Sequence, residues 1–128
     1  MRLDKGDEVI QSVQHVCRER HISLGTVTGI GAVKKVTIGY FEQDAKVYHA
    51  REFVGDIEVT SLQGNITEMN NDVYLHLHAT LSDSNYNAFG GHLNEAWVGP
   101  TFEIIIDIID GKVSREKNSD VGLNTLTF

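Results

Sequence analysis

Val73-Tyr74-Leu75-His76-Leu77-His78-Ala79-Thr80-Leu81 alternates without a break. Successive side chains of an extended chain point to opposite sides, so Val73, Leu75, Leu77, Ala79 and Leu81 share one face. Tyr74, His76, His78 and Thr80 share the other. A helix would scatter both sets around its axis, whereas a strand packed on one side keeps them apart. On the C-terminal side, Leu93 to Val98 and Thr101 to Ile109 read as further strands, with Pro100 between them marking a turn or an edge. Asp110-Gly111 is a turn signal, and Leu123 to Phe128 reads as a closing strand. On the N-terminal side, Ile57 to Leu62 is a strand with a bend at Gly64-Asn65. Lys46 to Val54 is another, broken at Gly55-Asp56, and Gln43-Asp44 is a turn. Val36 to Phe41 and Gly25 to Gly31 complete the set, the latter leading into a tight bend.

Only residues 7–20 have helical spacing, with Val9, Ile10, Val13, Val16 and Cys17 on one side. Asp7 is placed to cap this helix, and Arg18 and Arg20 suit its C-terminal end. Short strands joined by short turns imply a mostly antiparallel sheet. The expected fold is therefore α+β: a curved, barrel-like sheet with one main N-terminal helix packed on it. At 128 residues the chain is one domain, 1–128, long enough to bury a core without a staple.

Composition narrows the function. The single Cys17 has no internal disulfide partner, which favours a reducing compartment. Its apolar neighbours mark it as a core residue rather than a nucleophile. The first residues lack the apolar run of a signal peptide. Apolar runs such as Ile104-Ile105-Ile106 fall far short of a membrane span. A cytoplasmic location and no membrane partner are the expectation. Net charge is −7, and residues 51–110 hold ten Asp or Glu against one basic residue, Arg51. Nucleic-acid binding draws most of its affinity from clustered Lys and Arg that displace counterions. The only adjacent basic pair is Lys34-Lys35.

His76 and His78 point the same way from one strand, and His92, preceded by Gly90-Gly91, follows after 13 intervening residues. If the two strands form a wide hairpin, His92 comes beside the pair. The paired glycines would allow φ > 0 and a close backbone approach. Three imidazoles on one side of an ion leave a fourth position open, the arrangement of a catalytic zinc site. The same spacing also fits a polar strand face whose histidines are hydrogen-bonded. Glu58, Asp83, Glu95 and Glu103 are the carboxylates that could orient a histidine or act as a general base beside a metal. Alternation also allows them to be solvated outer-face residues. No phosphate-binding loop, dinucleotide fingerprint or nucleophile elbow is present.

Taken in order, the blocks of this chain resemble the plants-and-prokaryotes-conserved (PPC) domain family. The first is Leu3-Asp4-Lys5-Gly6-Asp7-Glu8-Val9-Ile10. Gly29-Ile30-Gly31-Ala32-Val33 and Ile38-Gly39-Tyr40-Phe41 follow, then Glu58-Val59-Thr60-Ser61-Leu62-Gln63-Gly64-Asn65-Ile66-Thr67. His76-Leu77-His78, Leu81-Ser82-Asp83 and Gly90-Gly91-His92-Leu93 come next. Thr101-Phe102-Glu103-Ile104, Arg115, Asp120 and Gly122-Leu123 close the set.

The resemblance implies a curved antiparallel sheet flanked by a helix, assembled as a homotrimer, of the stand-alone prokaryotic type. Plant members carry an Arg-Gly-Arg-type AT-hook ahead of the domain, and this chain has no such tripeptide. The plant segment Gly-Arg-Phe-Glu-Ile-Leu, associated with partner contact, aligns with Gly55-Asp56-Ile57-Glu58-Val59-Thr60, where only Gly55 and Glu58 match. His76, His78 and His92 do match the prokaryotic pattern, which implies a zinc or other divalent-metal site. The leading expectation is thus a trimeric metal-binding protein of unestablished reaction. One alternative is a DNA-associated regulator, a family label that the acidic charge disfavours. The other is a metal-dependent enzyme acting on a small molecule, with Glu58 or Glu103 as its base.

Overall fold

The computed structural model describes every residue from Met1 to Phe128. The alternating stretch is strand β4 (Asp72–Ser82). Its Leu77, Ala79 and Leu81 are buried, with Val73 and Leu75 packed at the margin of the same core. Around it run three much longer strands: β2 (Gly25–Glu42), β3 (Val47–Met69) and β5 (Ala88–Ile108). β2 pairs with both β3 and β5, and β4 also pairs with both. The circuit β2-β3-β4-β5 is closed, which makes a small barrel. Its interior is filled by Val27, Val36, Leu62, Ile66, Leu77, Leu81, Phe102 and Ile104, among others. Short β1 (Arg2–Asp4) adds to β5, while β6 (Ser114–Asn118) and β7 (Leu123–Thr127) form a hairpin that meets the end of β3.

Several breaks expected from the sequence are bulges inside continuous strands. The β2 register shifts between Gly29 and Gly31 and again between Val33 and Lys35. β3 shifts at Val59/Ser61 and takes up Gly55 at φ +139 without ending. A strand that must curve around a barrel bends through an extra residue rather than stopping. Pro100 follows the same rule. It lies where the β2–β5 register jumps from Val33↔Val98 to Gly31↔Phe102, so its missing N–H removes no ladder bond. Gly64-Asn65 is not a bend, since both residues pair in register with Leu77 and His76.

Helix α1 (Val9–Glu19) buries Val9, Val13 and Cys17, one residue per turn, against the sheet. Burial pushes the Cys17 thiol pKa up, consistent with an inert core residue. Its cap is Glu8 rather than Asp7. One Glu8 oxygen accepts from Gln11 N at 2.7 Å and the other from Ala96 N of β5 at 2.9 Å. The longer side chain reaches the first turn and the sheet together, while Asp7 accepts from Asp4 N. The helix ends in a Schellman motif: His21 N donates to Arg18 O and Ile22 N to Cys17 O, with His21 at φ 54. No helix is long and apolar enough to cross a membrane.

Candidate metal centre

Three registers deliver the histidines. β4 alternation turns His76 and His78 away from buried Leu77. The β4–β5 ladder sets His92 directly opposite His78, and the β2–β5 ladder sets Gly39 opposite His92. The expected hairpin is therefore present. Gly90 and Gly91 serve it through close approach alone, since neither has a positive φ. A Cβ on Gly91 would sit 2.6 Å from the Gly39 carbonyl oxygen, so a larger residue there would push the strand carrying His92 off β2.

The ring centroids lie 5.2 Å apart for His76–His78, 5.2 Å for His76–His92 and 5.4 Å for His78–His92. One ligand nitrogen from each lies within 4.8 Å of the others. Rings around one tetrahedral ion at about 2.0–2.1 Å per bond have centroids about 5 Å apart and nitrogens about 3.3 Å apart. The donor set thus fits a divalent transition metal after small ring rotations. Burial pushes the His92 imidazole down to about 4, with His76 and His78 adding to the effect. His76 is also lowered, by burial first and then by the positive charges of Arg115 and His78. Lowered values keep a ring neutral near pH 7, the form that ligates metal.

The histidines open onto a cavity of about 590 Å³. Tyr48 stands edge-on to His92 at 6.1 Å and donates to Asn94 Oδ1 at 2.6 Å. Arg115 of β6 reaches across from the other side. Its Nε donates to Thr67 Oγ1, one Nη to Asn65 Oδ1 and the other Nη to the Asn124 carbonyl, each at 2.9 Å. Its guanidinium also lies 4.9 Å from the Tyr74 ring centre. Asn65 and Thr67 are the β3 partners of His76 and Tyr74, so Arg115 ties the tail hairpin to the wall that carries the first ligand.

Glu58 and Glu103 do not join this site. Ile57, Val59, Phe102 and Ile104 are buried, and alternation puts the two carboxylates between them on the solvated outer face. Neither lines the cavity. Asp83 accepts from Asn85 N and Asn87 N within its own loop, and Glu95 accepts from Trp97 Nε1. Sequence reasoning placed Arg115 only by resemblance and did not bring Tyr48, Tyr74 or Asn124 to the site. Ser114-Arg115-Glu116-Lys117-Asn118 has no apolar alternation to betray a strand.

The family model for the Plants and Prokaryotes Conserved domain matches residues 1–110. The chain belongs to this family. As a PPC domain it superposes on a Bacteroides thetaiotaomicron protein named as a candidate DNA-binding protein. That match has 35% identity and a TM-score of 0.96, covering 99% of this chain and 89% of the other. An Archaeoglobus fulgidus protein described as metal-containing matches at 26% identity and TM-score 0.92, covering 100% and 91%. A Pyrococcus horikoshii PPC protein matches at 28% identity and TM-score 0.88, covering 98% and 88%. Comparison with curated proteins gave no match. The PPC model stops before β6, so the Arg115 wall lies outside the matched residues.

Proposed function

We propose that this PPC protein binds a divalent transition metal, zinc above others, through His76, His78 and His92, and works as a homotrimer. The observation that carries the reading is three ligand nitrogens within 4.8 Å of one another, on two strands of a closed barrel. The metal-containing description of the Archaeoglobus fulgidus relative supports it. When bound, the ion supplies Lewis acidity at the mouth of the cavity. The chain's own part is to hold the three rings on one side, with burial keeping His76 and His92 neutral. Elemental analysis of purified protein should give one metal per chain, and the His76→Ala, His78→Ala double variant should lose it. Unchanged uptake in that variant would sink the reading.

The size of the adjoining cavity favours a second reading, a metal-dependent enzyme acting on a small molecule. Glu58 and Glu103 face away from that cavity within the chain. DNA association, suggested by the name of the Bacteroides relative, fits the surface poorly. Arg2, Arg18, Lys34, Lys35 and Lys112 are each paired with a carboxylate, and residues 51–110 carry ten acidic residues against one basic. Retention on duplex DNA with a steep salt dependence would reverse this judgement. Trimer assembly is supported by exposed Ile30 and Ile105, which flank one open groove beside β1. Light scattering should return three times the 14.2 kDa of one chain, and a monomer mass would refute it.

A further inference from the structure

The lining of the cavity has the opposite charge balance to the rest of the molecule. The chain has 18 acidic and 11 basic residues, yet Arg115 and Lys117 line this cavity and no Asp or Glu does. Arg115 is 6% exposed and has no carboxylate partner in any ion pair of the structure. All three of its protein acceptors are neutral oxygens. A guanidinium has five N–H donors, so two remain for something else. A buried cation without a counter-charge is expensive to hold, and burial accordingly lowers its pKa. Lys117 is exposed and makes no ion pair. Tyr40, Phe41, Tyr48, Tyr74 and Leu123 share the lining with these cations and the histidines and supply an apolar surface with hydroxyl edges.

We infer that the cavity receives a small organic oxyanion, a carboxylate or a phosphate ester. Its charged end meets Arg115 and Lys117, and its apolar body lies along the tyrosines toward His76, His78 and His92. Arg offers the planar fork that matches either oxyanion. This deepens the metal reading by naming the class of molecule that meets the ion, and the anion contact itself requires no metal.

The test uses 19F NMR near neutral pH on the full chain, both metal-free and zinc-loaded. The probes are 4-fluorobenzoate, 4-fluorophenyl phosphate and, as neutral control, 4-fluorobenzyl alcohol. At least one anion should bind the metal-free protein about tenfold more tightly than the alcohol, and the ratio of the two anions identifies the oxyanion. Lys117→Met should weaken that anion about threefold, and Arg115→Lys, which keeps the charge but loses the fork, about tenfold. If Arg115→Lys fails to fold, Lys117→Glu decides, because the residue is exposed and the reversed charge should abolish the preference. Equal binding of alcohol and anions, or an anion affinity unmoved by Lys117→Glu, overturns the inference. Anion binding without zinc uptake would sink only the metal reading. Zinc uptake without anion preference would sink only this one.

Discussion

Acidification from about pH 7.5 to about pH 5 should leave His92 able to ligate metal, because burial holds it at about 4. An imidazole at the ordinary value near 6.5 is about 97% protonated at pH 5, and proton competition would weaken its share of metal binding about 30-fold. A ring at about 4 is only about one-tenth protonated there, and its loss is about 1.1-fold. The share of metal binding that His92 contributes should therefore persist at a pH where a solvent-exposed imidazole would lose its own. The same shift affects the metal-free fold. Its pKa is depressed on folding, so between about 4 and about 6.5 the unfolded chain binds more protons than the folded one. Stability of the metal-free protein falls as pH drops through that window, and above it His92 contributes no slope. The assay follows the His92 ring proton in metal-free protein by NMR, together with competition between the protein and a chromophoric chelator for zinc. A His92 midpoint above about 6 would refute the burial argument, as would a full 30-fold loss assigned to this ring.

Glu8→Ala removes the bonds to Gln11 N and buried Ala96 N. It should cost about 2–4 kcal/mol by urea denaturation, and a cost below about 1 kcal/mol would deny Glu8 its place as helix anchor. Leu77→Ala empties a fully buried site and should cost about 2–5 kcal/mol. Zinc uptake per folded molecule should not change, since His76 and His78 face the other way. His21→Gly relieves a left-handed residue at φ 54 and should raise stability by about 1 kcal/mol, read as an increase in thermal midpoint of a few degrees.

The parts of the fold legible in sequence are those with local cause. Period two identified β4 and put His76 and His78 on one face, and period 3.6 identified α1. The hairpin to His92 was legible as a possibility because only one loop separates the strands. Strand lengths were not legible, because Gly55, Gly64 and Pro100 give the same local signal in a turn and inside a continuous strand. What separates the two is pairing with strands far along the chain. The cap shows the same limit: Asp7 is the better local choice, and Glu8 is chosen by the Ala96 amide 88 residues away. Glu58 and Glu103 looked equivalent to site carboxylates until the buried Ile57, Val59, Phe102 and Ile104 fixed which way they face. Arg115 carried no chemical signal by itself, because its partners Asn65 and Thr67 lie about fifty positions upstream.

Barrel closure also sets a schedule for biosynthesis. Gly25 pairs with Ile108, and the Met1 amino group donates to the Ile104 carbonyl. The start of the first long strand therefore waits for more than eighty further residues before its second ladder is complete. An emerging chain can make α1 and the β2–β3 hairpin early, but it carries an open apolar trough until β5 has cleared the ribosome. Non-local closure of this kind is slow compared with helix or hairpin formation. Until β5 is complete, the apolar side chains that fill the barrel have no second wall to pack against.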